Sequence, residues 1–302
     1  MGFDYRKAYS QMYLIRCTEE EISARYQKFE KMRCPTHLSI GQESAAVGVM
    51  MTLQQDDHIY STHRSHAHYL AKGGNLDAMI AELHGKETGC TAGWGGSMHL
   101  VDESAGLMGA MPVVGDYISL AMGSAMAFKL GKTNQTAVAF FGDSAVETGQ
   151  FWEAANYAAL HHLPIMFVCE NNMYATATHI SMRQPEGPIF ERVKGFMWSG
   201  QVDDGDVSQV YQAAQECKEA GPGFLEIGTY RFREHVGPDF DWDLGYRTKE
   251  EVQDYMSRDP LPTVRAKLSE EEAQSIEAEA KARVATAFDL ADVAPWPEAL
   301  AV

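Results

Sequence analysis

No stretch of the 302-residue chain is long and apolar enough to read as a membrane span. The opening residues, MGFDYRKAYSQMYLIRC, carry charge and no apolar core of the secretory kind, so a cytoplasmic location is expected. Basic residues are scarce: 25 Lys and Arg stand against 42 Asp and Glu, a net charge of −17. A surface that acidic argues against nucleic acid and anionic membranes as partners. Any anionic ligand must therefore be held by local positive features. Cysteine is sparse too. Cys17, Cys34, Cys90, Cys169 and Cys217 are scattered, odd in number and form no CxxC, which points to free thiols in a reducing compartment. Cys169 lies in an apolar run and is expected in the core. There is no internal repeat.

What is present is an alternation of helical and strand-like segments. Apolar residues at helical spacing predict a long amphipathic helix over 4–32 and others over 41–53, 75–84 and 117–130. Thr136–Phe141 and Pro164–Glu170 are near-continuous apolar runs, as buried parallel strands are; Phe224–Tyr230 is a third, and His58–Thr62 a short fourth. Further helices are expected over 148–161, 206–219, 248–256 and 269–288. The Gly-rich stretch 89–116 has no clear period and reads as long functional loops. The expected fold class is α/β: a doubly wound, mostly parallel sheet flanked by helices, one domain over 1–302 with an N-terminal helix and a helical tail from about 250.

The stretch FFGDSAVETGQFWEAANYAALHHLPIMFVCENNMYA, residues 140–175, holds the chemistry. A right-handed strand–helix–strand crossover puts both strand C-termini on one edge of the sheet, where open α/β sheets bind ligands. Asp143 and Asn172 then lie close in space. Both are hard oxygen donors suited to Mg²⁺ or Ca²⁺, with phosphate oxygens and water completing the shell. A helix start near Thr148-Gly149 adds partial positive charge. Gly-Asp and Asn-Asn are also common turn dipeptides, and both readings stand on spacing alone.

The same stretch resembles the thiamine diphosphate motif, a GDG followed about thirty residues later by NN. With HLSIGQESAAVGV (37–49), STHRSHAHYLAKG (61–73), ELHGKETGCTAGWGGSMHL (82–100), TYRFREHVGPD (229–239) and LGYRTKEEV (244–252), most of the chain resembles the alpha subunit of the 2-oxo acid dehydrogenase first component, of the pyruvate, acetoin and branched-chain kind. The resemblance implies a thiamine diphosphate-binding fold, specifically its diphosphate-binding half. It implies that Asp143, the Asn172 side chain and the Tyr174 carbonyl bind Mg²⁺, which grips the cofactor's phosphates beside Gly142 and Ser144. Arg64 matches an arginine on the diphosphate, and His63 a position occupied by Tyr or His. His66 matches a histidine near the cofactor, and His235 the histidine beside the reactive ring that assists proton transfer. In the family this histidine region uses no zinc, and neither Cys nor acid stands at ligand spacing from His58, His63, His66 and His68, so a zinc cluster there is not expected.

Departures from the family pattern gather where substrate enters. Ser144 replaces the second glycine of GDG. Pro112, in GAMPVVG, has no N–H, so contacts of Pro112 and Val114 to the aminopyrimidine are limited to carbonyl or apolar ones. Trp94 stands where many members have Arg, and with Arg233 it is a candidate for substrate contact. The loop after His235 lacks the usual phosphorylation serine. The resemblance implies decarboxylation of a 2-oxo acid, or cleavage of acetoin, with the acyl unit passed to a lipoyl or other acceptor. It implies a beta-type subunit supplying the pyrimidine-binding domain in an α₂β₂ heterotetramer, and a lipoyl-bearing acyltransferase as a further partner. A transketolase-like or acyloin-forming ligase subunit and a non-catalytic scaffold are the alternatives.

Overall fold

The computed structural model describes residues 2–26, 30–32, 34–203 and 205–298. Six parallel strands form one sheet: β1 (His58–Ser61), β2 (Leu107–Ala110), β3 (Ala137–Gly142), β4 (Ile165–Asn171), and, after a small hairpin of β5 (Tyr174–Ala175) and β6 (Thr178–His179), β7 (Trp198–Val202) and β8 (Gly223–Gly228). Their order is β2-β1-β3-β4-β8-β7. The helices are α1 (Tyr5–Arg25), α2 (Glu43–Met50), α3 (His66–Lys72), α4 (Leu76–Leu83), α5 (Asp116–Gly131), α6 (Gly149–Leu160), α7 (Ile189–Val193), α8 (Val207–Ala220), α9 (Lys249–Ser257), α10 (Pro260–Arg265) and α11 (Glu270–Val293).

The near-continuous apolar strands have a direct cause: both faces of the sheet are covered. On β3, Val138 and Phe140 join a core with α1, α2, α4, α8 and α11. Their neighbours Ala137, Ala139 and Phe141 join a second core with α5, α6 and α7. β4 divides the same way, Met166 and Val168 against Ile165, Phe167 and Cys169. Cys169 is fully buried, and all five cysteines are free. The charged helix α11 buries Ala273, Ile276, Ala280, Val284, Ala287, Phe288 and Ala291, an apolar stripe that docks on α1 and α4 of this same chain. A capping box of Ser269 and Glu272 starts it. No helix among the described residues is long and apolar enough to cross a membrane.

Two expectations change, and one strand is new. The first helix ends at Arg25, before 32; of the remainder, residues 27–29 lie outside the described residues. The stretch 89–116 is not all loop: it contains β2, an edge strand whose sequence LMGA is too short to show a period. The other edge strand, β7, matches no expected element: its run is polar, its first three residues are only partly buried and Gln201 is exposed. The switch point falls between β1 and β3, whose crossovers run in opposite directions from β1.

Candidate active site

A cavity of ≈ 410 Å³ opens at the C-terminal edge of the sheet, across the switch point. Five strand ends supply its walls. Thr62, His63 and Arg64 follow β1; Pro112 and Val114 follow β2; Gly142 ends β3, and Asp143 and Ser144 follow it; Glu170 lies at the end of β4, and Asn172, Tyr174 and Thr176 lie in the turn and hairpin after it; His235 follows β8. Tyr117 on α5, His37 and Gln42 ahead of α2, and Met98 and Ala175 complete the lining.

The loop after β4 is strained at this point. Met173 and the β-branched Thr176 take positive φ, +68° and +53°. Internal bonds hold it there. Asn172 Oδ1 accepts from the Tyr174 N–H at 3.2 Å, and the Asn171 side chain from the Met173 N–H at 3.0 Å. Arg231 Nη2 donates to the Thr176 carbonyl at 2.7 Å. Arg231 itself is anchored on Asp241, 2.9 Å away, which also receives Arg247 Nε at 2.5 Å. That buried triad fixes the 229–247 loop and with it His235.

The strongest electrostatic feature is Arg64. Its guanidinium is buried, donating to the Leu38 carbonyl at 2.5 Å and the His235 carbonyl at 3.3 Å. No carboxylate among the described residues forms an ion pair with it. Burial, and then the charge of Arg231, pull its pKa down to about 9. Glu19 and Glu170 attract it from farther off without pairing with it, and a desolvated, unpaired cation bordering a cavity is a receptor for an anion. Burial and the Arg64 charge also keep the neighbouring imidazoles neutral: His63 falls to about 4 and His235 to about 3.

Asp143 is nearly inaccessible, and burial raises its pKa against the pull of Arg183. Arg183 lies beyond β6. Its guanidinium bridges Asp143 and Glu147, and Gln184 donates to the Asp143 carbonyl at 2.8 Å and Glu147 at 2.9 Å. The helix α6 begins at Gly149 but does not line the cavity; the 3₁₀ turn Asp143–Glu147 does. The chemistry of the donors suits a hard divalent ion: a carboxylate, an amide oxygen and a peptide carbonyl. Asp143 must exchange Arg183 for the ion to use it.

Three expected residues lie elsewhere. His66 is sealed between helices, with Nδ1 2.9 Å from Glu19 and Nε2 2.8 Å from the Ser97 hydroxyl. That is the donor order of a hydrolytic triad, but all three side chains are buried and no substrate reaches them. Trp94 is 62% exposed and outside the cavity. Arg233 lies over the Phe240 ring, 4.3 Å from its centroid, and also outside the cavity. Conversely, His37, Gln42, Glu170 and Arg183 went unremarked as single residues. His37 opens the HLSIGQE segment and Gln42 lies within it, and Glu170 stands just before Asn171-Asn172. Nothing local marks Arg183.

The fold is α/β, with a cavity at the strand ends that carries a buried cation and hard oxygen donors. The family model of the dehydrogenase E1 component matches residues 10–300. The acetoin:2,6-dichlorophenolindophenol oxidoreductase alpha subunit of Bacillus subtilis (strain 168) is 40% identical over 82% of this chain and 75% of its own length. The pyruvate dehydrogenase E1 alpha subunits of Rhizobium meliloti (strain 1021) and Rickettsia bellii (strain RML369-C) are 37% and 35% identical, over 98% and 97% of this chain and 87% and 93% of their own lengths. The chain belongs to the dehydrogenase E1 component family. It is an alpha-type chain of a thiamine diphosphate-dependent enzyme of the 2-oxo acid dehydrogenase type.

Proposed function

We propose that this chain is the alpha subunit of an enzyme that decarboxylates a 2-oxo acid, or cleaves acetoin, and passes the acyl unit to a lipoyl group or another acceptor. The chief support is Arg64, a buried guanidinium with no carboxylate partner among the described residues, beside hard oxygen donors at the strand ends. In this function Arg64 takes the diphosphate charge. Asp143, Asn172 and the Tyr174 carbonyl hold Mg²⁺, and Gly142 and Ser144 border the phosphates. Thiamine diphosphate, when bound, supplies the electron sink that stabilises a carbanion. His235 and His63 are neutral beside the uncompensated charge of Arg64; once the diphosphate offsets that charge and raises their pKa, they accept and return protons at the substrate. Pro112 and Val114 form an apolar wall that excludes water.

The whole chain acts as one cofactor-binding domain, its N-terminal helix and C-terminal tail forming the outer layer. Val113 and Val114 are 57% and 40% exposed at the cavity rim, an apolar edge suited to cover by a second chain. A beta-type subunit in an α₂β₂ heterotetramer fits that role, with a lipoyl-bearing acyltransferase as the onward partner. The test is co-expression with a beta-type subunit. CO₂ release from a panel of 2-oxo acids is then followed with ferricyanide or lipoyl acceptor, with and without Mg²⁺ and thiamine diphosphate. Cofactor-dependent release abolished by Asp143→Ala is expected. Cofactor binding with neither CO₂ release from any acid nor cofactor-dependent reduction of the acceptor by acetoin would sink the proposal in favour of carbon–carbon ligation.

A further inference from the structure

The four histidines of residues 58–68 do not cluster with one another. His63 instead meets two histidines remote in sequence, His37 and His235. The ring centroids are 4.5 Å apart for His37 and His63, 5.0 Å for His37 and His235, and 5.3 Å for His63 and His235. The planes cross at 58°, 83° and 63°, so the rings are splayed rather than stacked. One ring nitrogen from each lies within 4.8 Å of the other two. His37 Nδ1 is buried and has no hydrogen-bond partner, a cost the fold carries for nothing visible within the chain.

We propose that His37, His63 and His235 form a three-histidine site for a borderline-soft divalent transition metal, Zn²⁺ foremost, separate from the oxygen donors at Asp143 and Asn172. Three imidazoles with a free fourth position are a donor set that Zn²⁺ accepts, and Mg²⁺ does not seek it. The imidazoles are already in the neutral form that ligates, so binding releases few protons. Zn–N bonds of about 2.0–2.1 Å draw the nitrogens closer than their present spread, which asks for side-chain rotation but no rearrangement of the fold. Arg64 opposes the ion: its Nη2 is 3.4 Å from His235 Nδ1. The site is therefore of moderate affinity and strengthened by any anion that occupies Arg64. Its consequence rests on the function proposed above: an ion there takes the lone pairs that His235 and His63 use for protons, and turnover falls.

The experiment uses the full-length chain without cofactor, titrated with Co²⁺ as a coloured substitute for Zn²⁺. A one-to-one visible d–d band is expected, displaced by Zn²⁺ and unchanged by Mg²⁺. His63→Phe and His37→Phe keep ring volume, and thermal melts confirm that they fold. Each is expected to weaken Co²⁺ binding by at least about tenfold, since even outer-shell losses cost 10–100-fold. Asp143→Asn is expected to leave the band as it was. No band, or a band lost in Asp143→Asn and kept in both histidine variants, overturns the site. A band with the expected histidine dependence establishes it. Zn²⁺ addition to the assembled enzyme then tests the consequence separately: undiminished turnover would overturn the role given to His235 and leave the metal site standing.

Discussion

Two regions of this molecule handle an isolated charge in opposite ways. In the Gly-rich segment, the buried carboxylate of Glu82 receives backbone N–H groups from Thr91, Gly93, Gly95 and Gly96 at 2.8–2.9 Å. Glycine is needed there for access. A Cβ on Gly89 would come within 2.3 Å of the Glu82 carboxylate, and Gly93, at φ +81°, lies against the backbone of Gly85. At the strand ends, the buried guanidinium of Arg64 donates to two carbonyls and, among the described residues, to no carboxylate. A Gly-rich loop looks like a phosphate cradle in sequence, yet here it closes on an anion of its own chain. The charge with no paired carboxylate among the described residues is the one that lines the cavity. Satisfied charge marks structure, and unsatisfied charge marks the site.

The sharpest way to break the contrast is Glu82→Gln. The amide turns an NH₂ towards N–H donors and leaves some of them buried and unpaired. We expect a loss of about 3–5 kcal/mol, read as a lowered denaturant midpoint of the cofactor-free chain. A loss below 1 kcal/mol would show that the loop can re-satisfy itself, and the contrast would fail. Arg64→Met is the counterpart. The cofactor-free chain should be as stable as before or more so, because a costly buried charge has gone. Thiamine diphosphate binding, followed by calorimetry in the presence of Mg²⁺, should weaken by roughly 2–5 kcal/mol. Unchanged affinity would mean that Arg64 does not meet the diphosphate.

Much of the sheet was legible because its central strands are buried on both faces, and runs such as Ala137–Phe141 cannot be confused with an amphipathic surface. The edge strands were not, because Leu107–Ala110 and Trp198–Val202 have neither length nor alternation. The site divides along a similar line. Asp143, Asn172 and Tyr174 sit at strand ends, where topology alone fixes their place. Arg233 and Trp94 sit in loops, where side-chain direction decides and sequence is silent: one stacks on Phe240, the other faces outward. His66 reached the right neighbourhood but, as the first residue of α3, was claimed by Glu19 and Ser97. Arg183 acts 40 residues from Asp143, and no local pattern foretells that pairing.

Arg183 gives a smaller effect. It occupies the carboxylate that Mg²⁺ needs, so removing it favours the ion. Arg183→Gln should tighten Mg²⁺ binding in the presence of thiamine diphosphate by about 1 kcal/mol, roughly fivefold, in calorimetric titrations. Weaker binding would instead show that the guanidinium helps to hold the Asp143 carboxylate in place for the metal.

The mildest test is acidification, and it addresses the unsatisfied region alone. His37, His63 and His235 have pKa values pushed below the ordinary histidine value by burial and by Arg64, to about 4 for His63 and about 3 for His235. In the unfolded chain they protonate near 6.5. Between about 6.5 and those lower values the unfolded state therefore binds more protons than the folded one. The stability these imidazoles lend is complete above about pH 6.5 and drains away as the pH falls towards 3. Carboxylates elsewhere add their own acid dependence, so the informative quantity is a difference. The melting temperature of the cofactor-free chain should fall less between pH 7 and pH 5 in His63→Phe than in the wild type. Bound thiamine diphosphate should flatten the wild-type curve, because its negative charge offsets Arg64 and favours protonated imidazoles. Equal slopes in variant and wild type would mean that His63 exchanges protons freely with solvent in the folded chain, and that the cavity is not the dry, cationic place its geometry describes.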